Sequence, residues 1–129
     1  MTADEQGQDD VDRQAGCLFC RIVAGEVPAD IVHRGEHTLA FRDINPTAPV
    51  HVLVVPRRHV KHAAAIGAEH ADVVAALLVA AREVAEAEGI GLPDRGYRLV
   101  FNVGPDALSS VPHLHLHVIG GRAMTWPPG

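Results

Sequence analysis

The sequence predicts an α+β domain built on an antiparallel sheet. Three observations support this prediction: several short apolar segments have the length of strands, one long stretch has helical periodicity, and one short segment ends like a helix at a glycine. At 129 residues the chain is long enough for one hydrophobic core and too short for two independent domains. We therefore expect a single domain over residues 16–129, preceded by an acidic leader.

The two helices are predicted from their periodicity and from the residues that end them. Residues 17–25 predict a short helix that ends at Gly25, because glycine readily takes the left-handed conformation found just past helix ends. Over residues 68–88 alanine, valine, leucine and glutamate dominate, and the apolar residues recur at helical spacing. Gly89 is the expected end of this long helix.

The strands are predicted from short runs of β-branched, aromatic and other apolar residues between turn signals. A turn at Gly35-Glu36 joins the first two runs into a hairpin, and Asn45-Pro46 ends the second run. The runs that precede the C-terminal histidines are residues 31–34, 38–44, 50–56 and 97–103.

The segment 111–119 alternates histidine with apolar residues, which is the two-residue period of a strand. In a strand His113, His115 and His117 would share one face, with their rings about 6.5–7 Å apart. Such rings can hold a metal, line a polyanion or act as nucleophiles. Because histidine is costly to bury and solubilises poorly, a merely solvated strand would carry Thr, Lys or Glu instead. The pattern therefore predicts a functional face.

The charge distribution excludes several classes of function. The formal net charge is −5, but most of it lies in the first thirteen residues, and the rest of the chain is nearly neutral. Without a basic stripe or interleaved aromatic residues, we expect no nucleic-acid partner. No apolar run approaches the roughly 18–20 residues of a membrane span, and the acidic start is unlike a secretory signal. We therefore expect a cytoplasmic protein with no membrane partner, and a disordered leader over residues 1–15.

The two cysteines suggest a metal site. Cys17 and Cys20 are about one helical turn apart, so both thiolates can point at the same ion and supply half of a tetrahedral zinc site. Free or redox-active thiols are the alternative, whereas a structural disulfide is not expected in a cytoplasmic chain. The loop 102–110 adds glycine and neutral hydrogen-bond donors directly before the histidines.

Together these residues resemble the histidine triad (HIT) family. Residues 113–119 are similar to its signature, and the likeness to its nucleotide-binding branch covers residues 16–129, including the ending Trp-Pro-Pro-Gly. The resemblance implies a five-stranded antiparallel sheet with one long and one short helix, joined to a second sheet across a homodimer. It also implies binding of purine nucleotides, either adenosine or guanosine monophosphate and their phosphoramidate derivatives, and cleavage between the α-phosphate and a leaving group.

The same resemblance implies a role for each site residue. His115 would be the nucleophile that forms a nucleotidyl-histidine, with His117 and His51 assisting it. A structural zinc ion would be held by Cys17, Cys20, His59 and His113. Trp126, in the C-terminal tail, would reach toward the active site of the partner subunit and contact the leaving group. The other positions would bind the base, the ribose or the phosphate of the nucleotide: Phe19, Ile22, Phe41, Asp43, Ile44, Asn102, Gly104, Ser109 and Ser110.

One departure from the family pattern keeps other functions open. Leu108-Ser109-Ser110 stands where family members commonly have Gly-Gln-Ser or Gly-Gln-Thr, so a shorter hydroxyl replaces an amide that is expected to contact the α-phosphate and leaving group. One alternative is a dinucleoside polyphosphate hydrolase or nucleotidyltransferase, which the Trp-Pro-Pro-Gly ending disfavours. Another is a nucleotide-binding or scaffold protein with vestigial catalysis. A third is a transition-metal binder that holds its metal at His115 and His117.

Overall fold

The computed structural model describes Gln14 and residues 16–129, so the predicted leader lies outside the described residues except for Gln14. The helices and strands are α1 Leu18–Val23, β1 Ile31–Arg34, β2 Thr38–Arg42, β3 Val50–Pro56, α2 Ala71–Ala87, β4 Tyr97–Val100 and β5 Leu116–Gly120. The five strands form one sheet in the order β1-β2-β3-β5-β4, and every neighbouring pair is antiparallel. The predicted α+β class and five-stranded antiparallel sheet are confirmed.

The central strand β3 carries apolar side chains on both faces, which lets the sheet pack on two sides. Val52 and Val54 face the core that the long helix α2 covers, together with Leu116 and Val118 of β5. Leu53 and Val55 belong to a second core on the other face. The short helix α1 covers this second core with its buried residues Phe19, Cys20 and Ile22.

The histidine segment differs from its prediction as a continuous strand. β5 begins only at Leu116, where it pairs with Val54, and the chain before it bends at Pro112 and His113. Pro112 has no N–H to donate to a ladder, and the Leu114 N–H donates instead to the Val60 carbonyl at 2.6 Å. The bend carries His113 out of the strand.

The other boundaries shift by a few residues, while the glycines act as predicted. β2 ends at Arg42 and β4 at Val100, and a separate 3₁₀ turn, Ala68–His70, precedes α2. Gly25 and Gly89 follow the two helices with φ of +79° and +76°, the left-handed conformation expected there. Within the described part of the chain, no helix combines the length and apolar content needed to cross a bilayer.

Candidate active site and metal centre

The first part of the site is a pair of histidines on neighbouring strands. His51 of β3 is 6% exposed, and its Nε2 lies 2.8 Å from Nδ1 of His117 on β5. The backbone N–H of Thr47 donates to His51 Nδ1 at 3.1 Å, so a neutral His51 carries its proton on Nε2. The proton on His51 Nε2 points toward His117 Nδ1, and a carboxylate oxygen of Asp43 lies 3.3 Å from His51 Nε2. These contacts assign an Nε2–H tautomer to His117.

This environment keeps the His117 ring neutral. Its pKa is lowered to about 4, mainly by burial and then by the neighbouring rings of His115 and His51, while Asp43 opposes the shift. The side-chain amide of Asn102 lies 3.4 Å from His117 Nε2, and with an Nε2–H on His117 it is the amide oxygen that faces this ring and accepts. At neutral pH His117 therefore presents an uncharged N–H donor on the side of the ring away from His51.

The ring of His115 is fixed by a contact with the preceding bend. Its Nδ1 lies 2.7 Å from the carbonyl oxygen of His113, and only an N–H can make that hydrogen bond. In the neutral ring the lone pair therefore belongs to Nε2. The edge-to-face contact with Phe19, at a centroid distance of 5.1 Å and an interplanar angle of 87°, supports the same orientation. The geometry leaves Nε2 as the nucleophilic atom.

The two tautomers are a testable consequence of these contacts. Long-range ¹H–¹⁵N spectra should find the proton of His115 on Nδ1 and that of His117 on Nε2. Because a lowered pKa favours the neutral form, the His117 signals should titrate near pH 4 rather than near the ordinary 6.5. An Nε2–H proton on His115 would contradict this assignment of its nucleophilic atom.

The second part of the site is a buried cluster of two cysteines and two histidines: Cys17, Cys20, His59 and His113. His113 Nδ1 lies 3.3 Å from each cysteine Sγ and 3.2 Å from His59 Nδ1, and Cys20 Sγ is 3.2 Å from His59 Nδ1. Tetrahedral zinc with ligands at about 2.0–2.3 Å places ligand atoms roughly 3.3–3.8 Å apart. The four groups therefore fit a zinc ion.

The ring of His113 is also in the correct form for a ligand. Its Nε2 lies 3.0 Å from the Pro56 carbonyl oxygen and donates to it, which leaves the Nδ1 lone pair free to point into the cluster. The pKa of His113 is lowered to about 4, chiefly by burial, with the Pro56 hydrogen bond opposing the shift. A neutral imidazole is the form that binds metal.

Some of the predicted nucleotide-binding residues lie beside the histidines, whereas others are exposed to solvent. Asp43 and Asn102 lie beside the histidine pair, and Phe19 packs on both His115 and Phe41. Phe19, Ile22 and Phe41 are only 5%, 9% and 3% exposed. By contrast, Ile44 and Trp126 are 91% and 81% exposed in the single chain. Gly104 has φ of +81°, and Ser109 and Ser110 follow it in the loop before the bend.

Three residues near the site were not predicted from the sequence. Thr47 fixes the His51 tautomer through its backbone, which no side-chain pattern could reveal. Lys61 and His62 line a shallow pocket that His115 and Ser109 also line. A sequence signal for Lys61 and His62 existed, because they follow His59 of the buried cluster by two and three residues. Any site that includes both His59 and His113 therefore brings them close to the histidine segment.

A family model and two curated proteins match most of this chain. Residues 24–124 match the HIT domain family. The chain is 43% identical to an uncharacterised HIT-like protein of Synechococcus elongatus over 112 residues, which are 87% of this chain and 96% of that protein. It is also 43% identical to a 14 kDa zinc-binding protein of Brassica juncea over 114 residues, which are 87% and 98% of the two chains.

Solved structures agree with these relatives. A HIT family hydrolase from Legionella pneumophila has a TM-score of 0.83 and 46% identity, with 88% of this chain and 100% of that chain covered. A HIT family hydrolase from Clostridium thermocellum also has a TM-score of 0.83, with 40% identity over 88% of this chain and 96% of that one. The overall fold described above therefore has counterparts among solved structures.

Proposed function

Because this chain belongs to the HIT domain family, we propose that it hydrolyses or transfers purine nucleotides by cleaving the bond between the α-phosphorus and a leaving group. Nucleoside phosphoramidates are the proposed substrates, and a nucleotidyl-histidine on His115 is the proposed intermediate. The observation that carries the proposal is the 2.7 Å hydrogen bond from His115 Nδ1 to the His113 carbonyl, because it frees Nε2 for attack.

The reaction proceeds in two displacements. His115 Nε2 attacks the α-phosphorus, the bond from phosphorus to the leaving nitrogen breaks, and that nitrogen keeps the electron pair and takes up one proton as it departs. Water then attacks the same phosphorus and gives up one proton, and the bond to His115 breaks to release the nucleoside monophosphate, so the proton used in the first step is returned in the second. The imidazole becomes positively charged when it bonds to phosphorus, so its hydrogen bond to the His113 carbonyl grows stronger in the intermediate.

Groups around His115 stabilise the phosphoryl charge. The neutral His117 presents its Nε2–H beside the nucleophile, with a ring-centroid distance of 5.1 Å, and donates to a non-bridging oxygen. Asn102, Gly104, Ser109 and Ser110 surround the phosphate in this proposal. Asp43 accepts a hydrogen bond from a ribose hydroxyl through Oδ1, the oxygen that also accepts from the Asn45 N–H. The apolar residues of α1 and β2 border the base.

A second copy of the chain completes the proposed assembly. β4 is an edge strand of the sheet, so its outer backbone groups are available to another strand, and Leu99 on it is 41% exposed. Pairing across this edge joins two sheets in a homodimer. In this dimer the exposed Trp126 lies near the active site of the partner subunit, where it contacts the leaving group.

Zinc is the proposed metal of the buried cluster. Cys17, Cys20, His59 and His113 supply two thiolates and two neutral imidazoles, which neutralise the ion and leave no open coordination position. A closed site of this kind is structural. The zinc-binding relative from Brassica juncea supports the choice of metal. The ion would hold α1 against the segment that carries the nucleophile.

A comparison of two substrates tests the proposed function. Release of adenosine monophosphate should be faster from adenosine 5′-phosphoramidate than from diadenosine polyphosphate, measured at equal concentration by chromatography. The reverse order would support a dinucleoside polyphosphate hydrolase instead. Tight binding of adenosine monophosphate without turnover of either substrate would favour the nucleotide-binding protein with vestigial catalysis.

A further inference from the structure

The chain that follows the last strand lies against the turn between β2 and β3. β5 ends at Gly120, which pairs with Val50 at the start of β3. Gly121 then has φ of +94°, and a Cβ at this position would lie only 2.9 Å from Cβ of Pro49. Glycine tolerates both this φ and this close approach. The backbone at Gly121 therefore brings the next residue, Arg122, beside the β2–β3 turn.

Arg122 makes a contact that reaches the histidine pair through a single residue. Its Nη2–H donates to the Thr47 carbonyl oxygen at 3.0 Å, across 75 positions of the chain, and its Nη1–H donates to the Ala123 carbonyl oxygen at 3.2 Å. The backbone N–H of Thr47 donates to His51 Nδ1 at 3.1 Å, and the Thr47 hydroxyl oxygen lies 3.3 Å from the same nitrogen. Thr47 is thus held by the guanidinium and in turn holds the His51 ring.

Packing does little to fix the β2–β3 turn, so hydrogen bonds set its conformation. Residues 44–47 are exposed. The first half of the turn is shaped by Asp43, whose N–H donates to the His51 carbonyl at 2.9 Å and whose Oδ1 accepts from the Asn45 N–H at 2.8 Å. The Arg122 hydrogen bond constrains the second half, where Thr47 lies.

The position of Thr47 matters because it decides where the histidine pair carries its protons. While His51 Nδ1 accepts from Thr47, the His51 proton lies on Nε2 and points at His117 Nδ1, 2.8 Å away. His117 then carries its own proton on Nε2. If Nδ1 of His51 lost its donor, the neutral His51 ring could hold its proton on either nitrogen, and the tautomer of His117 would no longer be fixed.

We propose that Arg122 is a positioning residue for the N–H that His117 directs at the phosphate. By holding the Thr47 carbonyl it fixes the tautomer of His51, and that tautomer keeps the His117 proton on Nε2. The inference rests on the proposed function and adds a residue that acts on the reaction only through Thr47. Because this contact is already made without substrate, Arg122 should affect the chemical step more than nucleotide binding.

Arg122→Gln tests this role by kinetics and by magnetic resonance. With adenosine 5′-phosphoramidate its kcat should fall about tenfold, the size expected for one charge-assisted hydrogen bond, while KM changes by no more than about twofold. In long-range ¹H–¹⁵N spectra at neutral pH, the two ring ¹⁵N shifts of His117 should move toward each other, because two tautomers in exchange are averaged. Arg122→Lys keeps a charged donor and should restore most of kcat and the single-tautomer spectrum.

Arg82→Gln is the matched control. It removes an arginine from the exposed side of α2, where Arg82 pairs with Glu86 at 3.1 Å, and should change neither kcat nor the His117 spectrum. An unchanged His117 spectrum in Arg122→Gln would overturn the positioning role whatever happens to kcat, as would equal effects in Arg82→Gln. If the unaltered protein does not hydrolyse adenosine 5′-phosphoramidate, the proposed function fails, and the spectra alone still decide whether Arg122 sets the tautomer.

Discussion

Replacing His115 with alanine is expected to lower the release of adenosine monophosphate from adenosine 5′-phosphoramidate by at least about 10³-fold. The imidazole supplies the attacking atom in this proposal, and its Nε2 lone pair is oriented by the hydrogen bond from Nδ1 to the His113 carbonyl. Because the ring is half-buried at the end of the sheet, its removal should leave the fold intact. Single-turnover rates with purified protein measure the effect directly.

The control variant is His37→Ala, which removes an exposed imidazole that is far along the chain from the triad. It should retain the full rate. Rapid alkaline quenching of the unaltered protein should also yield a covalent nucleotidyl adduct in the peptide that contains residues 113–119, and His115→Ala should lack it. Retention of most of the activity in His115→Ala would remove the nucleotidyl-histidine from the mechanism.

Much of the architecture could be predicted from the sequence because its signals are local. The hairpin of β1 and β2 follows from a turn between two apolar runs, and the bounds of β3 coincide with the predicted residues 50–56. Gly25 and Gly89 end the helices because the left-handed conformation past a helix end depends on one residue. Signals of this kind need no knowledge of the rest of the chain.

The histidine segment shows where local patterns are insufficient. Alternation correctly separated histidines from apolar residues, since Leu114 and Leu116 are buried in the main core. It did not predict the bend at Pro112 and His113, because that bend involves the Val60 carbonyl and Cys17, the residue just before α1, and both lie far away in the sequence. As a result His113 has two contacts: its ring turns into the buried cluster, and its backbone carbonyl orients the ring of His115.

The contacts between polar side chains on neighbouring strands could also not be predicted from the sequence. The motif resemblance gave His51 an assisting role and Asp43 a ribose contact, but the spatial pairing of these residues depends on strand register. Leu53 pairs with His117 and His51 with Ile119, so the two imidazoles project from adjacent strands, and the β2–β3 turn returns Asp43 to His51. The backbone N–H of Thr47 then decides the tautomer, which residue type alone could not reveal.

Loss of one cysteine ligand is expected to have the largest effect on stability. Protein purified without added zinc should contain about one zinc ion per chain, and Cys17→Ser should lose it. Because α1 has only six residues, it is too short to be helical without tertiary support, and the proposed ion would join it to His59 and His113. We expect the free energy of unfolding to fall by about 3 kcal/mol or more, and the melting temperature by on the order of 10 °C.

A matched pair of histidine variants separates metal binding from simple loss of a side chain. His59→Gln should lose zinc and stability as Cys17→Ser does, whereas His37→Gln should change neither, because His37 is exposed and lies outside the cluster. Metal content by mass spectrometry and melting by circular dichroism give independent readouts. Equal zinc content in all variants would reject the cluster as the metal site, while zinc loss with an unchanged melting temperature would reject its structural role. If both properties fall together, the ion stabilises the bend whose carbonyl holds His115, so metal and nucleophile depend on the same residue, His113.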